Sequence, residues 1–427
     1  MREKEIMGRR LGCAARAATL LCLLTAAAAH AEVQAGDMVS RGNADVAADL
    51  VSPGLAWCLR HGLQMKIVPY RKIEWNKAYR EATEKYAAQV RLSEDGRSLI
   101  GHVAGLPFPQ LDPNDPQLAL KIMWNYDRKP FATDDLDLRN FDADTGNITD
   151  RGLDVERHYL LDHLRTLFYT ARLYVDPKPV LPNSEGIRAK GSLHPILEPF
   201  DLKGTGMTTV RYLDPDRQDD TWLYLAALRR VRRLSSAQRS DALFAQDTDV
   251  DSYGGYAGQI PWFDWKYLGE KTVLASMHAE QFPVKYCEGS GEFVFCDNWE
   301  KRQVYVVEGV PKNPQYAYGK RTLFIDKETY LIAFSDIYDR AGELWKVWVN
   351  QYGFRHKAGV DYGTVYPDEM PFNHSISMVD VQMAHATRAA LPSHRFAGEE
   401  GWYFNQGEKT GLTEEFFTIA HLLAAGN

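Results

Sequence analysis

The stretch KRTLFIDKETYLIAFSDIYDRAGELWKVWVNQYGF (Lys320–Phe354) constrains the fold more tightly than any other part of the chain. It reads as three strands joined by two tight turns, Asp326-Lys327-Glu328-Thr329 and Asp339-Arg340-Ala341-Gly342, both rich in residues that close hairpins. A meander with one face in water alternates apolar and polar residues. This one does not. In the middle strand Tyr330, Ile332, Phe334 and Tyr338 fall on one face, and Leu331, Ala333 and Ile337 on the other. Leu344, Trp345, Val347, Trp348 and Val349 spread over both faces of the third. Such a sheet has to be covered twice, and the meander does not say by what.

The amino terminus speaks to compartment. Arg9, Arg10 and Arg16 precede the apolar run ATLLCLLTAAAA, which ends in Ala29-His30-Ala31. Basic segment, short apolar core and A-x-A site describe a cleaved secretory signal peptide over residues 1–31, and so an exported protein. The twin arginines lack the flanking pattern of a folded-export signal. Leu21 stands before Cys22 where a lipoprotein anchor needs a small residue. No later stretch approaches the roughly 20 apolar residues of a membrane span. Residues 1–31 hold five basic and two acidic residues, so the net charge moves from −7 to about −10 once they leave. That disfavours nucleic acid as a partner.

Cys287 and Cys296, in CEGSGEFVFC, are close enough to bridge a hairpin in an exported protein. Cys58 is left over and reads as a buried free thiol. Residues 32–70 read as an irregular leading segment, and residues 71–427 as a single domain. The spacing of Trp75, Tyr79, Ala82, Tyr86 and Val90 predicts an amphipathic helix over Lys72–Arg91. Asp115-Pro116 should open a second helix running to Tyr126, and GLTEEFFTIAHLLAAG a short one at the end. Arg157–Asp176 fits either helix or strand; strand is preferred. RSLIGHVAG, TGMTTVRYLD, DTWLYLAAL, RRVRRLSS, DWKYLGEKTVLAS, FPVKYC and RQVYVVEGVP read as further strands.

The usual catalytic templates are missing: there is no G-x-S-x-G, H-E-x-x-H or P-loop. No cofactor or metal is implied, and the chain reads as a non-enzyme. Two acidic stretches resemble calcium loops. DTDVDSYGG places Asp247, Asp249 and Asp251 at the first three EF-hand ligand positions, but Ser252 replaces the glycine and Gly258 the closing glutamate. FDADTGNITD, with Asp142 and Asp144, also lacks that glutamate. Solvated turn carboxylates are the simpler reading of both. The basic cluster Arg229, Arg230, Arg232 and Arg233 could contact an anion or a partner, or pair with Asp214, Asp216, Asp219 and Asp220.

DDTWLYLAALRRVRRLSSAQRSDALFAQDTDVDSYGG resembles the centre of outer-membrane lipoprotein-sorting-like proteins, with Ala226 where a proline is usual. GLPFP, KIMWNY, GTGMTTVRYLDP, FDWKYLGE, KRTLFIDKETY, YDRAGELWK and SISMVDVQMAHAT resemble the proteobacterial domain-of-unknown-function family 1329. The resemblance implies an α+β, mainly antiparallel β fold: an open, curved half-barrel with helices plugging its concave face, as in the periplasmic lipoprotein carriers. A fold does not fix a function.

On that fold, long aromatic side chains on the concave face would leave a greasy lumen rather than a filled core. Tyr224, Phe263, Trp265, Tyr267, Phe324, Phe334, Trp345 and Trp348 are the candidates to line it. One buried 16-carbon chain would contribute roughly 10 kcal/mol before binding costs. The expected function is a periplasmic carrier or chaperone for a lipid or lipidated protein. It would hand its cargo to an inner-membrane exporter or an outer-membrane partner. The alternatives are an interaction or assembly subunit of an envelope transport complex and, third, a lipid- or glycan-acting hydrolase. Against the carrier stands a second face closed entirely by the protein's own helices and loops.

Overall fold

The computed structural model describes residues 32–235, 239–357, 364–392, 395 and 401–426. The signal-peptide reading falls on residues 1–31 and lies outside them. The described chain opens with β1 (Met38–Val39), α1 (Pro53–Arg60) and β2 (Met65–Ile67). Next come α2 (Lys77–Tyr86), the small hairpin β3 (Arg91–Leu92) and β4 (Leu99–Ile100), and α3 (Leu118–Asp127). Two long strands follow, β5 (Asp135–Thr149) and β6 (Gly152–Phe168). Then come β7 (Ile187–Leu193), β8 (Ile196–Glu198), β9 (Gly206–Tyr212), β10 (Asp220–Leu225) and β11 (Arg230–Arg233). The second half holds β12 (Phe263–Ala275), β13 (Asp297–Pro311), β14 (Lys320–Asp326), β15 (Ile332–Tyr338) and β16 (Leu344–Arg355). It ends with β17 (Met370–Asp380), β18 (His385–Ala390), β19 (Trp402–Phe404) and α4 (Ile419–Ala425).

One antiparallel path runs β11-β10-β9-β7-β6-β5-β18-β17-β16-β15-β14-β13-β12. The sheet is open, because β11 and β12 pair only with their inner neighbours. The ladder slips between Tyr267 and Gly269, between Phe324 and Ile325, and between Gln351 and Tyr352. Each bulge bends its strand and raises the local twist, which curves the sheet.

The two apolar faces of the meander find two different covers. Leu323, Ile325, Ile337 and Trp348 join Ile122 and Met123 of α3 in the concave core. Phe324, Phe334, Val347 and Val349 meet Leu55, Cys58 and Leu59 of α1 and Met65 and Ile67 of β2 on the convex side. The second cover is therefore the leading segment. Read as irregular, it is built: β2 pairs in parallel with β13, and β1 pairs with β2. Alternation is too short there for a sequence pattern, since two- and three-residue strands carry almost no period.

Other expectations shift by local chemistry. The first predicted helix shortens to α2, because Asn76 caps it by accepting from Tyr79 N at 3.0 Å. α3 begins after Asp115, whose carboxylate closes a turn onto Gln117 N at 2.7 Å instead of capping the helix. The C-terminal helix splits into a turn, Glu414–Phe417, and α4. RSLIGHVAG supplies only β4, and FPVKYC only an isolated bridge, Tyr286–Phe295. FDADTGNITD is not a loop but most of β5, with Asp144 paired to Arg388 at 2.9 Å. Arg157–Phe168 is strand, as preferred. Cys287 and Cys296 form the disulfide, and Cys58 is a buried free thiol.

β11 and β12 follow one another in the chain yet form opposite edges, so the link between them has to cross the sheet. It crosses the concave face, fixed by buried charge. Arg239 Nε donates to Asp251 at 2.6 Å and Arg239 Nη1 to Asp219 at 3.0 Å. Tyr316 and Tyr318 hydroxyls donate to Asp251 and Asp249 at 3.0 and 2.7 Å. Arg321 donates to Gly255 O at 3.1 Å, and Lys346 to Asp247 O at 2.8 Å. His385 Nδ1 meets Asp247 at 2.8 Å. The three aspartates of the calcium-like stretch are thus engaged by protein side chains. Among the described residues no cluster of three or more His, Cys, Asp or Glu is arranged to hold a metal.

A second buried carboxylate locks the convex cover. Asp336 of β15 accepts from Ser52 Oγ at 2.8 Å and Gly54 N at 3.1 Å, at the start of α1. A Cβ on Gly54 would lie 2.3 Å from that carboxylate, so only glycine fits. Burial raises the Asp336 pKa from 3.8 to about 6, against the two hydrogen bonds. Its stabilising contribution is full below about pH 4 and is lost as pH rises through 6.

Asp336→Asn should remove that dependence. Between about pH 4 and 7.5 the wild type should lose about 3 kcal/mol more unfolding free energy in urea than the variant; parallel profiles would refute the assignment. Asp251→Ala leaves Arg239 short of one buried partner and should cost about 3–5 kcal/mol in the same measurement. A loss below about 1 kcal/mol would mean that the crossing segment is held by other contacts.

Candidate functional site

The concave face is not filled everywhere. Over β5, β6, β7 and β9 two adjoining hollows of ≈320 and ≈310 Å³ remain between the sheet and the crossing segment. They share Leu164 and Phe168 of β6, Arg188 of β7, Arg211 of β9, and Tyr253 and Ala257 of the crossing segment. Each volume falls at the lower end of the roughly 300–1,000 Å³ of small-ligand sites.

The floor owes its shape to a break in β5. Asn140 takes φ 57°, a conformation its short polar side chain tolerates. Leu136 and Leu138 before it, and Phe141 and Ala143 after it, therefore all join the concave core, which strict alternation would forbid. Trp348, Tyr352, Ile376, Leu391 and Trp402 form the far wall of the larger hollow. The lining is predominantly apolar, and a wall of this kind favours a hydrophobic occupant.

Charge is confined to one end. Asp127, at the end of α3, is shared by Arg188 at 2.8 Å and Arg128 at 3.2 Å. Burial opposes its charge, but the two guanidiniums hold its pKa below the usual carboxylate value. Arg211 reaches Asp219 at 2.8 Å and Ala257 O at 2.8 Å. Lys129 Nζ donates to Tyr126 O at 3.0 Å and sits 3.5 Å from the centre of the Tyr126 ring. Burial, with Arg188 adding to it, pushes the Lys129 pKa down to about 7.

Of the eight aromatic candidates, Trp348 lines this cavity, held by Asn350 at 2.8 Å and edge-on to Tyr253. Phe324 and Phe334 do not. They stack at 4.5 Å on the convex side under the leading segment, fully packed. Phe263 and Trp265 stack at 5.3 Å beside Tyr256 near the β12 edge, and Phe263 lines a separate, more polar cleft. Tyr267 lies against Tyr305, Trp345 donates to Asp380 at 2.8 Å beside Tyr318, and Tyr224 is buried in β10. None of these seven shares a hollow with Trp348. The sequence reading placed the lining on β10, β12 and the meander; the structure leaves space over β5–β9, with Trp348 of the meander on its wall.

The arginine cluster divides. Arg233 pairs with Asp220, as one sequence reading had it. Arg229, Arg230 and Arg232 are exposed on or beside the edge strand β11. Leu136, Leu138, Phe141, Leu164 and Phe168 went unnamed because β5 looked like an acidic loop and β6 like an ambiguous segment. Their signal was Leu136-x-Leu138 followed by Phe141-x-Ala143, an alternation interrupted once at an asparagine.

Three comparisons bear on this arrangement. The model of the family described as "Protein of unknown function (DUF1329)" matches residues 38–422. An uncharacterised protein of Pseudomonas aeruginosa is 26% identical over 323 residues, covering 72% of this chain and 67% of that protein. Among solved structures, a domain from Vibrio parahaemolyticus described as outer membrane lipoprotein-sorting is 20% identical, with TM-score 0.48, over 72% of this chain and all of that one. A DUF1329 family protein from Desulfovibrio piger is 15% identical, with TM-score 0.45, over 70% of this chain and 96% of that one. A LolA superfamily protein from Nitrosomonas europaea is 13% identical, with TM-score 0.39, over 71% and 98%. With a match from β1 to α4 across both faces of the sheet, this chain belongs to the DUF1329 family.

Proposed function

We propose that the protein is a carrier or chaperone of the bacterial envelope that holds a lipid, or the acyl part of a lipidated protein, in the concave-face cavity. It acts in the periplasm and passes its cargo to an exporter or outer-membrane partner. The observation that carries this reading is the apolar hollow over β5–β9, which the plugging elements cross without filling. Sheltering apolar surface from water is what such a space offers. A serine–histidine contact does exist, Ser192 Oγ to His194 Nδ1 at 2.5 Å. Its imidazole is stacked on Phe416, and burial lowers its pKa to about 3, which leaves it a poor base.

A second reading has its own observation. Arg229, Arg230 and Arg232 lie exposed beside Leu228, which is 55% exposed, and the nearby turn carries Phe200 at 92% exposure. A basic, partly apolar edge in an acidic protein would dock an acidic surface of a partner protein, and the chain would then be an assembly subunit.

Native mass spectrometry of protein purified from its own periplasm should show a bound lipid. After delipidation, the neutral dye N-phenyl-1-naphthylamine should bind, and Leu164→Trp, which fills the hollow, should weaken binding by at least about tenfold, or 1.4 kcal/mol, with little loss of melting temperature. Phe334→Leu, on the convex side, should leave dye affinity unchanged. Protein that carries no lipid and binds no dye would sink the carrier reading, and charge reversal of the three arginines would then test the second.

A further inference from the structure

Resting on the carrier reading, we propose that the cargo has an anionic head group, a carboxylate or phosphate, seated between Lys129, Arg188 and Arg211 with its apolar tail along Leu164 and Trp348. The hollow is amphiphilic by construction. Its long walls are hydrocarbon, and its cations are gathered where the two volumes join: Arg188 and Arg211 line both, and Lys129 lines the larger.

The cations there are unevenly compensated: Asp219 and Asp251 hold Arg211 and Arg239 firmly charged, while burial outweighs the compensation of Lys129. Asp127 has to serve both Arg128 and Arg188. Asp219 has to serve both Arg211 and Arg239, and Asp251 faces Arg239 again. Lys129 has a backbone carbonyl and an aromatic face as its direct contacts, and the carboxylate that acts on it, Asp127, does so through space. Five cations therefore share three carboxylates at a partly buried site, in a protein whose overall charge is negative. Charge excess in poor solvent is unfavourable unless an anion arrives.

The donors suit such an anion. Arg188 and Arg211 would offer an anion the guanidinium N–H groups that Asp127, Asp219 and Ala257 O leave over, and Lys129 adds a compact third charge. A neutral head group of equal size would bury these cations without relieving them.

The test is displacement of N-phenyl-1-naphthylamine from delipidated full-length mature protein by four probes. Palmitate and monopalmitoyl glycerol phosphate are anionic; 1-monopalmitin and hexadecanol carry the same tail without charge. The expected result is that at least one anionic probe displaces dye at concentrations about tenfold or more below both neutral ones. Preference between palmitate and the phosphate tells which head group the site takes. Lys129→Met, which breaks no carboxylate pair, should shrink that gap, read as a ratio within each variant, to about threefold; Arg188→Met should shrink it further. Equal displacement by charged and neutral probes, or a gap that survives both substitutions, overturns the anionic head group while dye binding keeps the carrier reading. Loss of dye binding in the wild type defeats both.

Discussion

The Arg239–Asp251 ion pair and the charges around it decide where this protein has an inside. β11 and β12 are consecutive in sequence but lie at opposite rims, so their connection spans the whole sheet. An uncharged loop of this kind would float over the concave face or collapse onto it. Here Asp247, Asp249 and Asp251 reach β18, the β13–β14 connection and Arg239, while Arg321 grips the segment's backbone. Buried charges held by several partners resist displacement, because each loses its compensation if one moves. The segment is therefore held at a set height above β6–β9, and the hollow beneath it is the space that height leaves.

The convex side works by a different rule. There the leading segment packs hydrocarbon against hydrocarbon, with Phe324 and Phe334 stacked beneath α1. One sheet thus carries a solid face and a hollow one. Asp336 is the polar point in the solid face, tying Ser52 and Gly54 to β15. Its raised pKa marks how completely the cover excludes water.

The sequence made the sheet legible and hid the site, for the same reason. Two-faced apolar strands in Lys320–Phe354 announce a doubly covered antiparallel meander, and that is what forms. They also draw attention to the largest aromatic side chains, yet large side chains fill space. Phe334, Trp345 and Phe263 are packed because they are big. The hollow lies where Leu136, Leu138, Ala189, Gly191 and Leu164 face Trp348, Tyr352 and Trp402 and are too short to reach across to them. Asn140 deepened the concealment by breaking the alternation of β5, so that FDADTGNITD looked like a metal loop. The acidic stretch Asp247–Asp251 could not be resolved from sequence, because its partners are tens to more than a hundred residues away.

A flap attached at one end opens by rotation about its hinge. The band that crosses this sheet is anchored at both rims, by β11 on one and β12 on the other. It can bow outward but has no free end to swing. The height of the chamber is then governed by slack in the band rather than by an opening angle, and lengthening that connection by a few residues would enlarge the chamber without altering a single wall.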